Sequence, residues 1–516
     1  MYELTEIVSY LLVAAVAAWW GWGILEWIWL KPRRIEKHLR SQGYRGNPYK
    51  VLFGDLKDFS ALSKLARSTP ISLSDDIVPR VVSFLHKTIN AYGRKTFMWY
   101  GHIPRVHILE PELAREVLSK NFNYLKPKTN PLSRLLVTGL VTYDLDQWVK
   151  HRKIINPAFH MEKLKLMLPA FHVSCVEMIS GWEKAMEDSK EVDVWPHIQT
   201  LSADVISRTA FGSSYQQGRK IFQLLKLLAE LAAQVLTSIY IPGWRFLPTS
   251  RNRRMKNIEK QLNKLLTDLI NKRIQALKAG EATNEDLLGI LLESNFRDEG
   301  KYGKGVVGMT IKEIVAECKL FYFAGQETTA VLLVWTMVLL AHHQEWQQRA
   351  RDEVFQVFGK DGKPNFDGLV HLKIVTMILN EVLRLYPPVL QLSRIINEDI
   401  KLGESLNLKA GTMVTLPIIL LHHDKKIWGD DAKEFKPERF AEGISKATKG
   451  QHSYFPFSSG PRVCIGQNFA LLEAKMAVAM ILRSFSFELS PSYAHAPYPI
   501  ITTQPQFGAP LIMHKL

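Results

Sequence analysis

The chain has 516 residues, of which 47% are hydrophobic and 22% charged, a composition typical of a globular protein with a large core. Its 66 basic and 50 acidic residues give a formal net charge of +16, yet no basic run with interleaved aromatic residues indicates a nucleic-acid partner. We therefore favour a membrane surface or an acidic protein as the partner of the basic surface, with simple solubility as the alternative. The three cysteines, Cys175, Cys318 and Cys464, exclude a disulfide framework, match no zinc site and favour a reducing compartment.

The N-terminal segment is expected to anchor the chain in a membrane. Residues 7–25 are uncharged and mostly apolar, close to the roughly 20 residues that span hydrocarbon, and tryptophans crowd the end of the segment as at a lipid interface. Glutamates precede the span and Lys31, Arg33 and Arg34 follow it, which argues against a cleaved signal peptide and places the bulk of the chain on the cytoplasmic side. The predicted organisation is an anchor over residues 1–30, a basic, proline-containing linker over 31–50 and one large domain over 51–516.

The rest of the chain is predicted to be mainly helical, with small antiparallel β-sheets. Apolar helical patterns cover residues 77–92, 111–119, 147–158, 162–185, 197–210, 218–238, 251–279, 375–385 and 470–482. Two pairs of β-rich pieces, 96–100 with 105–109 and 392–396 with 413–417, interrupt the helices. Because strands and helices do not alternate, a doubly wound parallel sheet is not expected. The hydrophilic stretch 295–308 predicts a surface loop.

A capping box, Thr310 with Glu313, opens an apolar run that lasts to about residue 342. About 30 residues at 1.5 Å each give a helix of about 45–50 Å, and a helix this apolar must be buried. Gly325 and the polar residues 326–329 interrupt it, although glycine costs about 1 kcal/mol in a helix interior. A threonine hydroxyl bonded to the preceding turn would be a purely structural explanation. The functional interpretation is that an acid beside a hydroxyl, Glu327 beside Thr328, relays protons from water to a reacting group.

A second apolar helix, residues 375–385, carries Glu381 and Arg384 three positions apart on one face. Most such pairs are exposed and contribute little. The apolar neighbours predict that this pair is buried, so that both side chains need further partners. We interpret the pair as structural and not catalytic.

Residues 455–469 combine a lone cysteine, Cys464, with Phe457, Gly460, Arg462 and Gly466, just before an apolar helix. A free cysteine is usually a small buried hydrophobe. Here the two glycines allow the backbone to approach a flat ligand closely or to adopt a positive φ, and the helix N-terminus favours a thiolate. A thiolate in an apolar loop is a suitable axial ligand for haem iron.

The order Phe457-x-x-Gly460-x-Arg462-x-Cys464-x-Gly466 resembles the haem-binding signature of the cytochrome P450 superfamily, with every position filled. The resemblance implies a single haem-enclosing fold and haem b as the cofactor. It also implies that Cys464 is the axial ligand of the iron and that the other four positions belong to the cofactor site.

The string Ala324-Gly325-x-Glu327-Thr328 resembles the oxygen-binding groove in the central helix of the same superfamily. The resemblance implies that Gly325 lies at the cofactor, that Thr328 holds the protonation network of bound oxygen, and that Glu327 supplies the protons.

Further residues match the superfamily away from the cysteine. Glu381 and Arg384 resemble its Glu-x-x-Arg motif, and residues 437–440 resemble the companion motif, so Arg439 is expected to complete a buried triad that braces the cysteine loop. Partners for the haem propionates are implied at four positions, since arginine binds carboxylates well: Trp148, Arg152, Arg394 and Arg462.

In its details the whole chain looks like plant family 72, subfamily A, for example in residues 286–294, 317–329 and 494–497. Two positions depart from that pattern: Leu145 stands where relatives usually carry glycine, and residues 405–409 lack a proline. The resemblance implies a monooxygenase that uses O2 and takes electrons from NADPH-cytochrome P450 reductase at the endoplasmic reticulum membrane. Its expected substrate is a hydrophobic plant terpenoid, with a triterpenoid favoured and an iridoid or a gibberellin as alternatives; the loop before Trp148 and residues 218–242, 321–324, 389–393 and 506–507 are expected to select it.

Two other functions are compatible with a haem-thiolate protein. One is an isomerase or dehydratase that uses no external O2, against which the Glu327–Thr328 pair argues. The other is a haem protein that binds a lipid or hormone without turnover. Dependence on NADPH and uptake of oxygen distinguish the three.

Overall fold

The computed structural model describes residues 2–127, 130–239, 241–281, 285–296, 308–360 and 362–516; most of the predicted surface loop 295–308 lies outside these ranges. The helices are α1 Tyr2–Leu25, α2 Lys31–Ser41, α3 Leu56–Ala66, α4 Val78–Val81, α5 Ser83–Tyr92, α6 Pro111–Ser119, α7 Leu145–Ile155, α8 Met161–Asp188, α9 Val194–Phe211, α10 Tyr215–Leu236, α11 Ser250–Lys278, α12 Leu287–Phe296, α13 Ile311–His342, α14 Gln344–Phe358, α15 Phe366–His371, α16 Lys373–Leu385, α17 Ile418–His422, α18 Lys425–Trp428, α19 Ile444–Ala447 and α20 Gln467–Ser484. The strands are β1 Phe97–Tyr100, β2 Ile103–His107, β3 Glu191–Asp193, β4 Leu392–Ile395, β5 Ile400–Leu402, β6 Leu406–Leu408, β7 Met413–Leu416, β8 Phe485–Leu489, β9 Pro497–Pro499, β10 Thr503–Pro505 and β11 Pro510–Lys515. The mainly helical prediction is confirmed.

The N-terminal helix is longer than the sequence suggested. Helix α1 continues through a π-helical turn, Glu26–Leu30, directly into α2. The side chains of α1 from residue 5 onward are exposed, and the helical run 5–41 is long and apolar enough to cross a membrane. Residues 31–41, expected to be part of a linker, are instead a helix that packs onto the domain through buried Ile35 and Leu39. The linker prediction rested on the basic charge of this segment. It overlooked that the apolar residues are spaced to lie on one face of a helix, which is the face that is buried.

The central helix α13 forms as predicted. The Thr310 hydroxyl accepts a hydrogen bond from the Glu313 N–H (3.2 Å), and the Glu313 carboxylate accepts one from the Thr310 N–H (2.8 Å). Its 32 residues make it about 48 Å long. Helices α9, α16 and α20 pack around it and bury most of its length, as its apolar composition requires.

The largest described sheet has the strand order β1-β2-β7-β4. Both predicted strand pairs, β1 with β2 and β4 with β7, are antiparallel. The sheet is mixed, however, because β2 pairs with β7 in parallel through Arg105–Met413 to His107–Thr415. About 300 residues separate these strands in the chain, and no local pattern reveals such a pairing. Residues 77–92, predicted as one helix, are divided at Val82 into α4 and α5.

Candidate active site

The loop that carries Cys464 is held by its own backbone. The Cys464 N–H donates to the Phe457 carbonyl at 2.9 Å, and the Val463 N–H donates to the Gly460 carbonyl at 3.0 Å. Gly460 has φ +69°, and a Cβ added there would lie 2.5 Å from the carbonyl oxygen of Leu118 at the end of α6. Glycine is therefore required at position 460. Gly466 has φ −91°, and an added Cβ would make only an ordinary contact, so close approach to a ligand remains the predicted reason for that glycine.

The Cys464 side chain is accessible, whereas Cys175 and Cys318 are buried. Protein atoms nevertheless surround much of it, and this burial raises the pKa of the Cys464 thiol; a hydrogen bond from the Gly466 N–H and the charge of Arg152 lower it in part. The backbone N–H at the helix N-terminus thus favours the thiolate in the predicted direction, but burial has the larger effect on the thiol pKa. Coordination to a metal ion deprotonates a thiol outright and supplies what the protein does not.

The acid and the hydroxyl of α13 have different partners. The buried Glu327 carboxylate accepts hydrogen bonds from the Thr502 hydroxyl (2.7 Å) and the Gln504 amide. Burial raises the pKa of Glu327, and these two bonds and the charge of Lys226 offset part of the rise. The Thr328 hydroxyl donates to the Ala324 carbonyl at 2.8 Å, which is the structural alternative considered above. Its lone pairs remain able to accept a further hydrogen bond.

A family model described as Cytochrome P450 matches residues 78–506 of the chain. The chain belongs to the cytochrome P450 family. It is therefore an enzyme, a monooxygenase, and the cofactor that family members bind through a cysteine thiolate is haem b.

Named relatives agree over nearly the whole chain. The protein is 57% identical over 514 residues to Cytochrome P450 CYP72A219 of Panax ginseng, with 99% of each chain covered. It is 54% identical over 516 residues to the 7-deoxyloganic acid hydroxylase of Catharanthus roseus, with 99% of each covered. It is also 53% identical over 509 residues to Secologanin synthase 1 of the same plant, covering 98% of this chain and 97% of the relative. The predicted likeness to family 72, subfamily A, is confirmed.

The structure brings together cations that suit the propionates of a cytochrome P450 haem. Arg462 donates to the Asp144 carboxylate at 2.5 Å, and its guanidinium lies 4.7 Å from the centre of the Trp148 ring. Arg394 is buried, and burial together with the charge of Arg462 lowers the pKa of Arg394 to about 10. Lys126 lies in the same cluster, since burial and then the charges of Arg394 and Arg462 lower the pKa of its ammonium group.

These three cations share one carboxylate, that of Asp144. The Nε atom of Arg462 is buried and has no hydrogen-bond partner among the described residues. A surplus of buried positive charge and an unsatisfied donor fit a ligand with two carboxylates. The residues present therefore fit haem, and Lys126 is a candidate cofactor residue that the sequence motifs did not reveal.

Arg152 is placed differently from the other predicted propionate residues. It donates to the carbonyl of Val463 at 2.8 Å, directly beside Cys464 in the chain. Its charge acts on the Cys464 thiol and lowers that thiol's pKa. Contact of Arg152 with a propionate remains a prediction.

Gly325 has a reason for being glycine that the sequence motif did not show. A Cβ at this position would lie 2.7 Å from Cγ1 of Ile206 in α9. The glycine therefore allows α9 to approach α13 closely, and this helix contact explains it without any contact to the cofactor. The mid-helix glycine was the available signal, but its neighbour could not be named from the sequence.

The predicted triad is formed and fully buried at its centre. Arg384 donates to both oxygens of Glu381 (2.7 and 2.8 Å), and Arg439 donates to one of them at 3.3 Å. Arg384 also donates to the carbonyl of His422 at 2.8 Å, and the ring of His422 accepts the Phe455 N–H at 3.3 Å. The triad thus reaches the first residue of the loop that carries the cysteine.

Proposed function

We propose that this cytochrome P450 hydroxylates or otherwise oxidises a hydrophobic plant terpenoid, with O2 and with electrons that NADPH supplies through a reductase. The observation that carries the proposal is the combination of an accessible Cys464 with a buried acid, Glu327, and a partly buried hydroxyl, Thr328, on the central helix. A protein that only binds haem has no need for the acid and hydroxyl. When bound, haem supplies the oxygen activation and the electron transfer.

The side chains of the chain itself perform the remaining tasks. Cys464 would ligate the iron, and Lys126, Arg394 and Arg462 would neutralise the propionates. Glu327 is a proton donor because burial raises its pKa and keeps a proton on its carboxyl group where an exposed glutamate would already be ionised. The Thr328 hydroxyl, oriented by the Ala324 carbonyl, accepts a hydrogen bond at the reacting centre.

A hydrophobic terpenoid substrate is supported by composition and by relatives. Among the segments predicted to select the substrate, Phe323, Val389, Leu390 and Leu392 are apolar and only partly buried. One relative is named a 7-deoxyloganic acid hydroxylase and another a secologanin synthase. We favour a triterpenoid for this chain, with an iridoid or a gibberellin as alternatives.

The same proposal places the protein on the endoplasmic reticulum membrane, with an anchor within residues 1–30 and the domain in the cytosol. The exposed apolar helix α1 and the net charge of +16 support it, because anionic lipid and an acidic flavoprotein both attract a basic surface. Alkaline carbonate extraction of membranes should leave the full-length protein in the pellet. Release into the supernatant would contradict the anchor.

The function is tested in microsomes that contain this protein and a plant NADPH-cytochrome P450 reductase. A panel of triterpenoids, iridoids and gibberellins is supplied, and oxygenated products are sought by mass spectrometry. The Cys464→Ser variant is the control and should form no product and lose the carbon monoxide spectrum. Product formed without NADPH would instead indicate an isomerase or dehydratase, and spectral shifts without oxygen uptake would indicate a binding protein.

A further inference from the structure

A buried cluster of acids and a histidine lies outside the groups assigned so far. His151 of α7 is fully buried, with Nδ1 2.6 Å from Glu317 Oε1 and Nε2 3.3 Å from Glu313 Oε1. Both glutamates belong to α13, and Glu317 is fully buried as well. Lys150 approaches Glu313 at 3.4 Å from the more exposed side.

Each ring nitrogen of His151 faces a carboxylate oxygen. An ionised carboxylate only accepts hydrogen bonds, and a neutral imidazole has a single N–H. Two carboxylates, one at each ring nitrogen, therefore require either an imidazolium or one protonated carboxyl group. Burial raises the pKa of Glu317, although His151 and the Leu140 N–H lower it in part. For Glu313 the balance is opposite: burial raises its pKa, but bonds from Thr310 and His151 and the charge of Lys150 bring it down to about 2.

The cluster also contacts the loop that precedes α7, residues 139–144. The Leu140 N–H donates to Glu317 Oε1 at 2.9 Å. Gly139 has φ +96°, and a Cβ there would lie 2.8 Å from the Glu317 carboxylate oxygens. The ring of Tyr143 packs edge-on against the His151 imidazole, with centroids 4.7 Å apart. One carboxylate and one imidazole thus contact both halves of the loop.

The opposite end of the loop touches the proposed haem site. Arg462 donates to the Tyr143 carbonyl at 2.9 Å and to the Asp144 carboxylate at 2.5 Å. Loop 139–144 is therefore hydrogen-bonded to Glu317 of the central helix at one end and to Arg462 of the cysteine loop at the other.

We propose that His151 and Glu317 are positioning residues that hold loop 139–144 against the central helix, so that the loop forms one wall of the substrate pocket. This inference rests on the proposed function, which makes the loop part of that pocket. Neither residue touches the reacting atoms. By positioning the loop, they affect the affinity of the pocket for a bulky ligand.

Hydrogen exchange and ligand binding test the proposal in the full-length, haem-loaded protein. His151→Phe keeps a ring against Tyr143 but removes both ring nitrogens, and Glu317→Gln keeps an acceptor for the Leu140 N–H but replaces the carboxyl group with an amide. Lys153→Gln is the matched control, because Lys153 is exposed on the same helix. Binding of clotrimazole, a bulky azole, reports on the pocket wall, and binding of imidazole reports on the haem alone.

In His151→Phe we expect the amides of residues 139–144 to exchange about tenfold faster and clotrimazole to bind about tenfold more weakly, the order of one charge-assisted hydrogen bond. Imidazole binding and exchange in strands β1 and β2 should stay within twofold of wild type. Glu317→Gln should give a smaller change in the same direction, and Lys153→Gln none. If His151→Phe fails to bind haem, Glu317→Gln decides the outcome.

Unchanged exchange at 139–144 in a folded variant would overturn the proposal. Faster exchange spread evenly over the domain would also overturn it, because it would show a general loss of stability. Clotrimazole binding does not depend on the natural substrate. Absence of terpenoid products would therefore contradict the proposed function and leave this result standing.

Discussion

Replacing Arg384 by lysine should abolish most of the haem-loaded protein while leaving the charge unchanged. Arg384 makes five hydrogen bonds: two to Glu381 and one each to the carbonyls of His422, Ala432 and Glu434. All of them are made by a side chain with no exposed surface. A lysine ammonium is a compact donor without the planar fork and cannot reach both the carboxylate and the three carbonyls.

The magnitude follows from the groups that lose their donor. About three buried acceptors are left unsatisfied at about 1 kcal/mol or more each, and breaking a buried ion pair costs about 3–5 kcal/mol. Since proteins are stable by only about 5–15 kcal/mol, Arg384→Lys should remove a third or more of the stability. The loss should appear at the cysteine loop, which the triad reaches through His422.

The assay is the carbon monoxide difference spectrum per amount of protein detected by immunoblot, together with the urea midpoint. Arg349→Lys is the matched control. Arg349 forms an ion pair with Glu438 at 3.1 Å, close to the triad residue Arg439 in the chain, but both side chains of this pair are about half exposed. Such a pair contributes about 0–1 kcal/mol, so the control should resemble wild type. Wild-type haem content in Arg384→Lys would refute the reasoning that these buried bonds brace the loop.

Three further changes test the central helix. Thr328→Ala should retain haem but release reducing equivalents as peroxide, measured as peroxide formed per NADPH consumed; tightly coupled product formation would count against the role of the hydroxyl. Gly325→Ala should destabilise the fold by about 1–3 kcal/mol through collision with Ile206, and Ile206→Ala should restore part of the urea midpoint, whereas no restoration would point to a different neighbour. Because burial raises the pKa of Glu327, the wild-type donor should lose its proton, and coupled turnover should fall, as pH rises through that raised pKa. In Glu327→Gln that limb of the pH profile should be absent, and an unchanged profile would assign the titration to another group.

The sequence predicted those parts of the site whose chemistry is local. The capping box of α13 is formed by residues three apart, and the Cys464 loop closes on Phe457 and Gly460 within eight residues. In the same way, the buried pair of Glu381 and Arg384 lies within one helical turn. Short-range geometry of this kind can be inferred from residue types and spacing alone.

Other parts required contacts between distant segments. Lys126 lies near Arg394 and Arg462, although more than 250 residues separate it from either. Glu327 accepts hydrogen bonds from Gln504 in β10 and from Thr502, the residue before β10. The balance of burial and charge at Cys464, which raises the thiol pKa, could not be judged from a helix N-terminus. Each of these features depends on which segments pack against each other in the folded chain, and the spacing of residues in the sequence does not show which segments do so.

By itself, then, the sequence determined the family, the cofactor and the long helix with its acid and hydroxyl, and it predicted the iron ligand, because the residues that carry each of them are contiguous and chemically distinctive. Only the tertiary structure decided why Gly325 is glycine, where Arg152 donates its hydrogen bonds, and that residues 31–41 pack as a helix. It alone placed His151 between two glutamates and against loop 139–144. The physical reason is that burial and desolvation are properties of the folded chain, and they set the energies of polar groups more strongly than their neighbours in sequence do.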